Sequence, residues 1–167
     1  MVRVSILERK MIEYNAPDMK RINHALKVTA FAHVIADGEK IGKRDKVLLL
    51  CAAVLHDIGI HEAEKQYNSA SGQLQEKLGP AIAYQMLIGL GFTKSERERI
   101  CFLIGHHHTY TIKNDILLQI LFEADFIVNI DEGDFPDGTD YKMIENKNFK
   151  TKTGIDIFEK LILTDKG

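Results

Sequence analysis

The sequence predicts an all-α fold, a compact multi-helix domain. Three observations carry that prediction. Apolar residues recur at helical spacing through most of the chain. No stretch sustains the every-second-residue alternation, enriched in β-branched residues, that marks a strand. Glycines fall between the periodic segments, at Gly38, Gly42, Gly59, Gly91, Gly133 and Gly138, where helices would break.

The elements follow in order. Helices are expected over 3–13, 17–37 and 43–57, then a short one near 71–77, then 80–90, 94–107, 115–131, 139–146 and 154–164. Pro17 and Pro80 both suit the first turn of a helix, where a missing N–H costs nothing. Residues 1–167 are expected to form a single domain, with its core over about 17–131 and C-terminal helices over 139–164. Apolar residues make up 45% of the chain, enough for a sizeable core and against disorder. The net charge is −2 with acids and bases interspersed, so no basic stripe points to nucleic acid as a partner. Cys51 and Cys101 lack the C-x-x-C spacing of a thiolate zinc site, and Cys51 reads as a small core residue. The N-terminus has no signal-peptide apolar region, and no apolar run approaches the ~20 residues of a membrane span. A cytoplasmic protein with no membrane partner is expected.

Several polar residues interrupt apolar faces. In helix 17–37, His24 projects close to the face set by Ile22, Ala25, Val28 and Ala32. His33 lies nine residues on, roughly half a turn round the helix, towards solvent. The run Val47–Leu55 contains no charged residue, yet His56 and Asp57 follow it directly, with Gly59 placed to close the helix in a left-handed conformation. In helix 115–131, Asp125 sits in the apolar stripe of Leu118 and Leu121, while Glu123 falls on roughly the opposite side, where an acid belongs. A buried carboxylate is costly unless it is paired, protonated or bound to a metal. Each of these groups could be a hydrogen-bonded core residue. One divalent cation would account for all of them together, since imidazole and carboxylate are its usual ligands.

The order His24, His56-Asp57, Asp125, carried by "RINHALKVTAFAHVIA", "AAVLHDIG" and "LQILFEADFIVNI", resembles the HD-domain superfamily of metal-dependent phosphohydrolases. "LGPAIAYQMLIGLGF" is similar to the glycine-led helix after the family's His-Asp pair, and "FKTKTGIDIFEKLI" to the tail of small stand-alone members. The resemblance spans about residues 17 to 164. It implies an all-helical HD fold with a divalent cation held by His24, His56, Asp57 and Asp125. It also implies hydrolysis of a nucleotide or related small phosphate ester, by attack of metal-bound water on phosphorus. Two nitrogens and two oxygens suit Mn, Fe, Co, Ni or Zn, and Mg less well.

Roles for further residues follow from that picture. Asp57 is expected to act as ligand and as orienter of the attacking water. Two carboxylates neutralise one divalent cation, so an anionic phosphate needs further positive charge. Arg21 and Lys27, three residues either side of His24, are candidates to supply it. His61 and His107 are candidates to protonate a leaving group. His106 and His107 in "IGHHHTY" are candidate ligands of a second metal, and Asn129, one turn beyond Asp125, is a candidate substrate contact. The acidic run 131–140 is a solvated loop or a lid over the site.

The chain departs from the family's better-known branches. Gln75 and Glu76 stand where two-metal branches carry a further histidine. Ile60 replaces both the lysine of the cyclic-dinucleotide branch and the glutamate of the deoxynucleoside monophosphatases, and no Gly-Tyr-Pro motif is present. Ile60, His61, Glu62 and Ala63 stand where the alarmone hydrolases carry a Glu-Asp pair. These departures keep open an alternative, an HD-fold module that holds metal and senses a nucleotide with little turnover.

Overall fold

The computed structural model describes residues 2–164, and every regular element among them is helical. The elements are α1 (Val2–Asn15), α2 (Met19–Gly38), α3 (Lys43–Leu55), α4 (Ile60–Tyr67), α5 (Gly72–Leu87), α6 (Lys94–Ile104), α7 (Ile116–Asp131), α8 (Tyr141–Asn148) and α9 (Lys152–Phe158). A π-helical turn, Glu159–Leu163, continues α9.

The uncharged run seen in the sequence becomes the centre of the molecule. Every residue of α3 from Leu48 to Leu55 is buried, as expected of a helix that is apolar all round. Helices α1, α2, α6 and α7 pack around it, and α2 also packs along α7. The local chemistry sets the helix starts. Asp18 caps α2 by accepting from the Arg21 N–H at 3.1 Å, and Asp115 caps α7 by accepting from Leu118 N–H at 3.2 Å. Thr93 and Glu96 form a reciprocal capping box on α6.

The sequence expectations need correction at several places. Residues 71–77 and 80–90 were expected as separate helices, with Pro80 in a first turn; α5 runs unbroken from Gly72 to Leu87 with Pro80 inside it. Proline removes one rung of the helical ladder, and packing of α5 against α4 and α6 holds the remainder. Helix α4 was not expected at all. Its sequence, IHEAEKQY, buries only Ile60 and Ala63, too few positions to establish a period. Gly59 is right-handed, at φ −79° and ψ −13°, so it serves another purpose than a left-handed stop. A Cβ there would lie 2.8 Å from Gly79 N and 2.9 Å from Gln75 O. Glycine therefore lets the His56–Asp57 turn touch the backbone of α5.

Glu123 is the largest correction. It is fully buried rather than solvent-facing. The far side of α7 is covered by α9, which arrives from much later in the chain. Glu123 accepts from Gln119 Nε2 (2.7 Å), Lys150 N (2.6 Å) and Thr151 N (2.9 Å), and from the Thr151 hydroxyl. Burial pushes its pKa up, against the pull of these donors.

Candidate metal centre

Four elements bring their polar residues to one point. α2 contributes His24, the turn after α3 contributes His56 and Asp57, the turn after α6 contributes His107 and His108, and α7 contributes Asp125. His24 Nε2 lies 3.2 Å from His56 Nε2. Asp125 Oδ1 is 3.2 Å from His24 Nε2 and 3.6 Å from His56 Nε2. Asp57 Oδ2 is 3.6 Å and 3.5 Å from the same two nitrogens. Its other oxygen, Oδ1, is 3.4 Å from His107 Nε2. One ligand atom each from His24, His56 and Asp57 falls within 4.8 Å of the others, and so does one each from Asp57, His107 and His108. Asp57 thus belongs to two donor groups at once.

The imidazoles are oriented for ligation. His24 Nδ1 donates to Glu132 Oε2 at 3.0 Å. His56 Nδ1 donates to Ala53 O at 2.8 Å, and His107 Nδ1 to Ile104 O at 2.6 Å. With each Nδ1–H committed to an acceptor, each Nε2 carries a lone pair into the cluster. His107 Nε2 is buried and has no hydrogen-bond partner. Gln75 Oε1 accepts from His108 Nε2 at 2.9 Å, which leaves His108 Nδ1 as the free lone pair. Imidazole nitrogens crowded against the buried Asp125 carboxylate and the partly buried Asp57 carboxylate are a poor arrangement for a core and a good one for a cation.

The electrostatics agree with that reading. Burial works against an imidazolium at His56, but Asp57 and Asp125 outweigh it and push its pKa up to about 9. Burial likewise works against the Asp57 carboxylate, but His56 and His107 hold its pKa down to about 2. Asp125 is held well below the usual carboxylate range, chiefly by its hydrogen bonds with His24 and His56 against the cost of burial. Burial, and then His107, push His108 down to about 4, so that it stays neutral. The cluster therefore attracts positive charge, which a divalent ion supplies more completely than protons. The donor set fits such an ion.

A cavity of about 720 Å³ opens onto this cluster, lined by His24, Asp57, His108 and Asp125 at its floor. Arg21 and Asn129 line its wall, together with Lys20, Asp134 and Phe135. Arg21 is held by Asp18 (3.1 Å), Glu64 (2.5 Å) and the Nδ1 of His61 (3.0 Å).

The HD-domain family model matches residues 21–130. The chain belongs to the HD-domain family. The match spans every donor of the cluster, and the superfamily is one of metal-dependent phosphohydrolases. Searches of curated proteins and of solved structures each returned no match.

Not every residue singled out in the sequence of this HD-domain protein reaches the site. Lys27 turns outward, with its ammonium between Asp131 (2.9 Å) and Glu132 (3.2 Å), and lines a separate surface cavity. His61 is not among the residues lining the main cavity; its Nδ1 accepts from Arg21, so it stands behind that guanidinium. His106 bonds Phe102 O through Nδ1 and stacks on the Phe102 ring, and it joins neither donor group. His108 takes the place expected for it, because α6 ends at Ile104 and a turn, not a helix, sets the directions beyond.

Four contributors were missed. Glu132 looked like part of a solvated acidic run. It sits seven residues after Asp125, two turns along the same face, and that spacing could have revealed it. Lys20 gave no distinguishing signal among the surface charges. Gln75 and Glu76, read as departures, anchor the turn that carries His107 and His108. Gln75 holds the His108 ring, and Glu76 Oε1 accepts from His108 N at 2.8 Å and Thr109 Oγ1 at 2.9 Å.

Proposed function

We propose that this HD-domain protein hydrolyses a small phosphate ester, foremost a nucleotide, in a metal-dependent reaction. The observation that carries the reading is the set of imidazole nitrogens with their outer N–H groups tied away, facing the buried Asp125 and partly buried Asp57 carboxylates. His24, His56, Asp57 and Asp125 would hold the principal ion, and Asp57 with His107 and His108 a second. Bound divalent ions supply Lewis-acid polarisation of a phosphoryl oxygen and a lowered pKa for coordinated water. Mn, Fe, Co, Ni and Zn suit the nitrogen-rich donors.

The chain's own residues would do the rest. Glu132 holds the His24 ring, and the Ala53 and Ile104 carbonyls hold His56 and His107, so the donors need no rearrangement. Lys20 makes no ion pair among the described residues and lines the cavity, so it is free to meet a phosphate. Arg21 lines the same wall, aimed by His61 and Glu64. Phe135 offers an aromatic face to a base, and Asn129 an amide for its hydrogen-bonding edge. Ile60 makes that part of the wall apolar, so any leaving-group proton would come from another residue or from solvent.

The test is phosphate release from a panel of nucleotides and simple phosphate esters. The protein is stripped, reloaded with Mn, Co, Ni, Zn or Mg, and compared with Asp57→Ala. Metal-dependent turnover absent from the variant is the expected result. Saturable nucleotide binding by a folded, metal-loaded protein that turns over none of the panel would instead favour the sensing module.

A further inference from the structure

A second cavity, of about 570 Å³, lies against α7 beside the loop that precedes it, with the end of α8 on its rim. Its volume is that of a small-molecule site. Its wall is aromatic. Tyr110 stands edge-on to Phe122, with ring centroids 5.1 Å apart, and tilted against Phe126 at 5.5 Å. Phe122 is buried, whereas Tyr110 is half exposed and presents its ring to the opening. Lys113 enters from the loop, Lys147 from the last turn of α8, and Lys150 from the segment after it.

The charge here is unbalanced. Lys113 and Lys147 make no ion pair among the described residues, and the Lys150 ammonium reaches only the Asn146 carbonyl, at 3.0 Å. Asp115 is the one acidic residue lining the cavity, and both of its oxygens are spent on Arg99 at 2.7 Å. Elsewhere on the surface, lysines such as Lys27, Lys46, Lys142 and Lys160 are paired with carboxylates. Three lysines without carboxylate partners around a cupped aromatic wall form a site for a ligand that is both anionic and aromatic.

We infer that this cavity is a second binding site, separate from the metal centre, for a nucleoside phosphate whose base stacks on Tyr110 and whose phosphates meet Lys113 and Lys147. A cavity of this volume, with three lysines lining it, favours a mononucleotide over a nucleic-acid strand. The two cavities share no lining residue. Phe126 connects the two regions, since its ring packs 6.1 Å from Phe135, which lines the catalytic cavity.

The test is a fluorescence titration of full-length protein with mant-ADP in EDTA, using Asp57→Ala so that the metal centre does not contribute. Because the metal is absent, the result stands independently of any hydrolysis. Saturable binding is expected, weakened roughly ten-fold or more by Tyr110→Ala and by Lys113→Ala/Lys147→Ala. Circular dichroism checks that these surface substitutions leave the fold intact. Binding unchanged by both variants, or no binding at all, would overturn the inference. So would a single-stranded oligonucleotide that competes far better than ADP at equal phosphate concentration, since that outcome assigns the surface to nucleic acid.

Discussion

Two carboxylates stand two residues apart on α7, and both are buried, yet they belong to different kinds of environment. Glu123 accepts from an amide side chain, two backbone N–H groups and a hydroxyl, all donors that hold protons under any condition. It ties the C-terminal segment to the core. Asp125 faces two imidazole nitrogens whose rings have already committed their other N–H outward. The pair teaches that burial of an acid does not by itself mark a site. What marks one is whether the acid's partners are satisfied without a further positive charge.

The contrast is open to attack by substitution. The largest expected effect is at the metal centre. Asp125→Asn should weaken binding of Mn by more than ~100-fold, beyond the 10–100-fold typical of outer partners, and abolish turnover. Calorimetric titration and phosphate release check this. The same change should also cost the metal-free protein stability at neutral pH, because Asp125 is a partner of the buried His24 and His56 rings. Glu123→Ala should spare the metal centre. It strands several buried donors and should cost about 3 kcal/mol of stability, read by urea denaturation. The folded fraction should keep its metal affinity.

Glu132→Gln sharpens the comparison at smaller scale. It should lower metal affinity by ~10-fold or more through loss of the anionic partner of His24, while the fold is retained. An unchanged affinity would mean that His24 orientation does not depend on that contact.

The smallest expected effect is at the start of α7. Burial would raise the pKa of Asp115, but the paired Arg99 and the Leu118 N–H outweigh it and lower it from 3.8. A depressed folded pKa gives stability that is present above the unfolded value and lost as pH falls through the folded one. The urea midpoint of the parent should therefore fall more steeply than that of Asp115→Asn below about pH 4. Parallel curves would remove Asp115 from the acid response.

Much of this was legible in the sequence, and the exceptions have physical causes. His24 and Asp125 could be placed because each interrupts a long apolar stripe on a regular helix, where angular arithmetic holds. The His56–Asp57 pair stood out against the uncharged run before it. The same arithmetic misjudged Glu123, because no feature of α7 alone reveals that α9 covers its other face. It also chose His106 over His108, because the helix had already ended at Ile104. Short polar α4 left no pattern to read, and with it went the placement of His61 behind Arg21.

The most direct test of the metal centre is thermal unfolding of stripped protein across a Mn titration, for the parent, Asp125→Asn and Glu123→Gln. A ligand that binds only the folded state raises its stability with concentration. The account expects the parent and Glu123→Gln to show that rise, from different starting points, and Asp125→Asn to lose it. A parent that does not respond to Mn, Co, Ni or Zn, or an Asp125→Asn that responds as the parent does, would contradict it.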